Sequence, residues 1–169
     1  MVDVRNRRRK MGRDGIVLAI AVGAFAGATA PQAQANNKRL NDSVVANVYT
    51  IQHQAGCKNN VRINKELQLA AEWHANDVLN NRALVGDIGS DGSTVAGRAS
   101  NAGYTGAVSE TVAINPALAI SGIEILNQWY HRPNYYAVMS DCSNIEMGVW
   151  SLNSLDRTVV VAVYGKGEA

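Results

Sequence analysis

Three histidines, two cysteines and a scatter of acidic side chains are the residues of this chain that could do chemistry. The stretch QWYHRPNYYAVMSDC, residues 128 to 142, sets His131 and Arg132 beside Pro133 and follows them with Tyr135, Tyr136 and Cys142. Imidazole, guanidinium and phenol on one short loop are groups for proton transfer or ligand capture. The spacing of the histidines is less promising. His53, His74 and His131 stand too far apart for an HExxH metal pair, and neither a GxSxG nucleophile turn nor a GxxxxGK[ST] phosphate loop occurs. Asp87, Asp91 and Gly92 match places in a calcium loop, but Gly89 occupies a ligand position and Arg98 stands where a bidentate Glu belongs. A cation at that position argues against calcium. His74 falls on the apolar face of a helix and reads as a hydrogen-bonded core histidine; His53 reads as a partly exposed imidazole near a helix end.

The elements that must position these groups can be read from caps and periodicity. Asn41, Asp42 and Ser43 are good N-cap residues, and Val44, Val48 and Ile51 follow at helical spacing until Gly56. A second helix, about 64 to 82, carries Leu67, Ala70, Ala71, His74, Val78 and Leu79 on one face. GDIGSDGSTVAG is a loop, and a short helix follows over 95 to 102, stopped by Gly103. Asn115 and Pro116 predict a further helix reaching Tyr130. Residues 145 to 152 and 157 to 164 are strand-like and joined by a polar turn. Helices first and a hairpin last predict an α+β fold rather than a wound parallel sheet. Trp73, Trp129 and Trp150 are expected in the core, and Arg98 is expected to anchor a loop.

Residues 1 to 35 read as a secretory signal peptide: a basic start with Arg5, Arg7, Arg8, Arg9, Lys10 and Arg13, an apolar run to Ala30, and Ala33-Gln34-Ala35. An uncleaved anchor is the alternative, although the run is short and Gly- and Ala-rich against the ~20 apolar residues of a span. The net charge of +2 belongs to that segment, because residues 36 to 169 hold ten Lys and Arg against twelve Asp and Glu. No basic stripe with interleaved aromatics remains, so nucleic acid is not an expected partner. The 36 to 169 region suits one domain. Cys57 and Cys142 are the only cysteines, an even count that favours a disulfide in an exported protein, with two buried thiols as the alternative.

Several pieces in order resemble the CAP superfamily, also called SCP-like, of cysteine-rich secretory proteins, antigen 5 and pathogenesis-related 1 proteins. They are L..AA..HA.DV from Leu67, GSDGS from Gly89, R...AGY from Arg98, and Glu110-Thr111-Val112-Ala113 where the family usually reads Glu-Asn. Trp129 with Pro133, IEMGVW and the Val-rich last strand complete them. The resemblance covers about Leu40 to Gly165 and implies an α-β-α sandwich with a small antiparallel sheet and a broad cleft. Many members hold two histidines and two glutamates there, a set that can take zinc. By that resemblance the glutamates are Glu110 and Glu124, while the two histidine places hold Asp87 and Tyr135.

The expected cleft is therefore Asp87, Glu110, Glu124 and Tyr135, three carboxylates and a phenol in place of imidazoles. Converging carboxylates would repel one another, raising a pKa or requiring a cation. No cofactor or specific metal is expected. Glu110 reads equally as a wall residue accepting backbone hydrogen bonds, and Glu124 equally as an exposed helix residue. The leading expectation is an exported, non-catalytic domain of the cell envelope or exterior. It would bind a lipid, another small apolar ligand, or an envelope or host protein, meeting membrane only through an uncleaved signal segment. One alternative is an envelope hydrolase with Glu110 as general base and Tyr135 as acid or oxyanion donor; another is a disulfide-stapled structural or effector protein.

Overall fold

The computed structural model describes residues 31–167, so most of the segment read as a signal peptide lies outside the described residues. Nine elements follow in order: helix α1 (Pro31–Gln54), strand β1 (Arg62–Ile63), α2 (Lys65–Asn80), α3 (Val95–Asn101) and β2 (Val108–Asn115). After these come α4 (Gly122–Tyr130), α5 (Pro133–Ser140), β3 (Glu146–Ser154) and β4 (Arg157–Gly165). The sheet order is β1-β3-β4-β2. β3–β4 and β4–β2 are antiparallel, whereas the two-residue β1 runs parallel to β3.

β4 is buried at every residue, which is why RTVVVAVYG is nearly continuous in apolar residues instead of alternating. Its side chains still alternate in direction. Val160, Ala162 and Tyr164 face α1, α4 and α5, meeting Val44, Val48, Ile125 and Trp129. Val159, Val161 and Val163 face α2 and α3, meeting Leu67, Ala71, Val78 and Ala99. The result is an α+β sandwich, helices on both sides of a four-stranded sheet. α2 lies so close to the sheet that a Cβ added at Gly148 would stand 2.0 Å from the Gln68 backbone nitrogen.

The disulfide forms between Cys57 and Cys142, with Cα atoms 5.2 Å apart, and ties the segment after α1 to the segment after α5. Across a separation of 85 residues, the chain-entropy account credits such a link with about 4 to 5 kcal/mol. Beside it the buried Gln52 amide donates to the Asn144 carbonyl at 2.9 Å.

The second helix starts where its cap predicts, with Asn64 accepting from the Leu67 amide, and α3 ends before Gly103, which takes φ +99°. Other boundaries differ. α1 is already helical at Pro31, upstream of Asn41 to Ser43 and of the expected cleavage point after Ala35. Within that longer helix, Asp42 pairs with Lys38 instead of capping.

The helix predicted from Pro116 begins only at Gly122, because Asn115 closes β2 opposite Thr158. The carbonyls of Ala117, Leu118 and Ala119 are held by the Thr158, Asn153 and Asn115 side chains, which keeps that bent stretch out of the helix. Ser121 then caps α4 in a capping box with Glu124. β1, β2 and α5 were not anticipated. α5 starts with Pro133 in its first turn, and its apolar residues are too evenly spread to show one face.

Gly148→Ala is expected to destabilise the fold by about 3 kcal/mol or more, since the obstacle is helix backbone and cannot rotate away. Denaturant unfolding of the variant measures the loss, and a shift under half that size would mean α2 can lift from the sheet.

Candidate functional site

A buried charge cluster forms where α2, α3 and β2 meet. Thr94 caps α3 by accepting from the Gly97 amide, and this short helix presents Arg98 inward. The Arg98 side chain is 6% exposed and the Glu110 side chain 0%. Arg98 Nη2 donates to Glu110 Oε1 at 3.0 Å and Oε2 at 3.1 Å, and to the Asp87 carbonyl at 2.8 Å. Its Nη1 donates to the Ser93 carbonyl at 2.9 Å. One guanidinium thus fastens the loop before α3 to strand β2. The loop is pinned from α2 as well, because the Asp77 carboxylate accepts from the Ser90 amide at 2.7 Å and the Ser90 hydroxyl at 2.6 Å.

His74 completes the cluster from α2 and is fully buried. Its Nε2 lies 2.9 Å from the Gly86 carbonyl, which can only accept, so that nitrogen carries the proton. The same nitrogen is 3.5 Å from Glu110 Oε1. Burial lowers the His74 pKa below its ordinary 6.5 and keeps the ring neutral. Burial pushes the Glu110 carboxyl up to about 8, against the opposing pull of Arg98 and with a smaller upward push from Asp87.

The four residues expected in one cleft do not gather around one hollow. Asp87 is exposed beside the cluster and Glu110 is sealed within it. Glu124 is exposed at the start of α4, where its carboxylate accepts from the Ser121 amide and hydroxyl, bonds that lower its pKa. Tyr135 is half-buried against the core of α1, α4 and α5, with the Arg132 guanidinium 5.4 Å above its ring. Glu124 and Tyr135 thus belong to the other helical layer.

Among the described residues no three His, Cys, Asp or Glu side chains could hold a metal ion together. The residues present therefore do not suit the zinc that the family resemblance implies. His131 is exposed, and its Nδ1 donates to the Asn127 carbonyl at 2.8 Å, closing the end of α4.

Sequence reasoning missed a concavity away from the charge cluster. A hollow of about 400 Å³ at the β3–β4 turn is lined by the charged Arg82, Arg132, Asp156 and Arg157 and by the apolar Val85, Val112, Ile114 and Pro116. The three arginines lie far apart in sequence, so no local spacing reveals them. The only hint was a charged residue heading a buried strand.

No protein-family model and no curated protein matches the chain. Solved structures do. An outer surface protein of Borrelia burgdorferi aligns with TM-score 0.67 at 16% identity, covering 78% of this chain and 95% of that one. An extracellular protein containing an SCP domain from Bacillus anthracis aligns with TM-score 0.68 at 12% identity, covering 84% of this chain and 45% of that one. A cysteine-rich secretory protein from Staphylococcus aureus aligns with TM-score 0.60 at 14% identity, covering 78% and 39%. The chain spans less than half the length of the last two. At such identities the likeness speaks for the fold alone.

The cluster sets opposite pH dependences. Glu110 keeps its proton to about 8 in the folded chain against an ordinary 4.5, so the stability it contributes is full below 4.5 and is lost as pH rises through about 8. His74 contributes fully above its ordinary 6.5 and loses that contribution as pH falls through its lowered folded value. Thermal unfolding is therefore expected to show stability falling from pH 6.5 to about 8, by at most about 1.4 kcal/mol per pH unit, with Glu110→Gln removing the slope. A wild-type profile that rises across this range contradicts the assignment.

Proposed function

We propose that this chain, which has the CAP, or SCP-like, fold, is an exported non-catalytic binding domain of the cell envelope or exterior. Its partner in this reading is a lipid, another small apolar ligand or a protein. The observation that carries the reading is the state of Glu110: its side chain is 0% exposed and both carboxylate oxygens are engaged by Arg98. A general base must come within about 3 Å of the proton it removes. A sealed carboxylate offers a substrate no such approach. Glu110 then serves as a wall residue holding the loop, while Asp87 and Tyr135, in the places of the family's histidines, supply oxygen groups and no imidazole.

Export is supported by the basic and apolar composition of residues 1 to 35. It is also supported by similar structures that come from proteins described as outer surface or extracellular. The disulfide agrees with an oxidising compartment.

One observation favours the hydrolase reading, the rise of the Glu110 pKa toward working pH. Against it stands the placement of Tyr135 in the other helical layer, away from Glu110.

The discriminating experiment is a panel of peptide and cell-wall substrates offered to the purified chain with and without chelator. No turnover above buffer is expected, and zinc is expected to leave the melting temperature unchanged. Turnover that survives chelation and disappears in Glu110→Gln would establish the hydrolase instead.

A further inference from the structure

The hollow at the β3–β4 turn has a charge balance that its protein neighbours do not settle. Three guanidiniums and one carboxylate line it. Asp156 is fully engaged, bonding Arg82 at 2.6 Å and the Ser154 hydroxyl at 2.9 Å. Arg132 rests over the Tyr135 ring, and its charge meets no carboxylate within ion-pair distance among the described residues.

Arg157 is the unusual member. The residue is 6% exposed, yet the one hydrogen bond of its side chain among the described residues is a 3.5 Å contact from Nη2 to the Leu84 carbonyl, and its buried Nε has no partner. Arginine stays charged at any working pH, and burying its guanidinium with donors unmet is costly. Arg98 shows the alternative within the same molecule, a buried guanidinium whose donors meet Glu110 and the Asp87 and Ser93 carbonyls.

We propose that this hollow binds an organic oxyanion, a carboxylate or a phosphate ester, carrying a short apolar body. The guanidinium of Arg157 meets the oxygens in charge-assisted hydrogen bonds, and Arg132 adds a second positive charge at the rim. Val112, Ile114 and Pro116 supply the surface on which the apolar body lies, with Val85, 76% exposed, at the mouth. A pocket with an apolar wall and a few convergent polar groups is the usual form of a small-molecule site. This inference rests on the binding reading above and deepens it by naming the ligand's chemistry and its place.

The test is calorimetric titration of the full chain with decanoate, decyl phosphate, decanol and inorganic phosphate. Decanoate or decyl phosphate is expected to bind at least about tenfold more tightly than decanol. Arg157→Gln is expected to remove at least about tenfold of that affinity, and Arg132→Gln, at an exposed position, to weaken it severalfold. If Arg157→Gln fails to fold, the Arg132→Gln result and the decanoate-to-decanol ratio decide.

Equal binding of decanol overturns the oxyanion site, and inorganic phosphate binding as tightly as decyl phosphate overturns the apolar body. Binding unchanged in a folded Arg157→Gln overturns the assignment to this hollow. Absence of binding by every probe sinks this inference and leaves the binding reading standing, because that reading falls only to turnover.

Discussion

The α2 and α3 side of the molecule depends on a single requirement, that the donors of the buried Arg98 guanidinium be met. Its guanidinium reaches Glu110, the Asp87 carbonyl and the Ser93 carbonyl at once. A lysine could not do this, since a single ammonium lacks the planar fork that serves acceptors in several directions. Removing Glu110 would leave buried guanidinium donors unmet, a loss of about 1 to 3 kcal/mol or more. The same bonds that fasten the loop to β2 also occupy Glu110.

The sheet adds a second constraint. β4 is buried on both faces, so it separates two helical layers, and neighbouring residues of β2 turn to opposite sides. Glu110 turns toward His74 and Arg98, whereas Thr111 turns the other way and shares a 3.1 Å hydrogen bond with Tyr164. Tyr135 packs in that second layer. A carboxylate and a phenol that the family resemblance assigns to one cleft are thereby held against different faces. A separate concavity lies at the β3–β4 turn, where arginines from three separate segments come together.

Much of the fold was legible because its signals are local. Asn64 caps α2, Gly103 ends α3, and the Val-rich last strand pairs with the strand before it. His74 was legible as a core histidine from its place on an apolar helix face, and Cys57 with Cys142 from their even number in a chain read as exported. The misreadings share a cause. Asn115 and Pro116 have the chemistry of a helix start, yet Asn115 pairs with Thr158 across the sheet, and a strand end overrides a cap. β2 was hidden because its buried Glu110 breaks the apolar pattern, and that glutamate is tolerated only because a distant Arg98 answers it.

By itself the sequence determined the helical segments with one clear apolar face, the closing hairpin, the cysteine pair and the resemblance to a known fold, since all of these rest on residue type and short spacing. Only the tertiary structure decided that Glu110 is sealed, that Glu124 and Tyr135 stand apart from it, and that Arg82, Arg132 and Arg157 share one hollow. Those outcomes follow from strand register and layer packing. They set which of two faces a side chain takes and which distant charge it meets, and no local spacing records either.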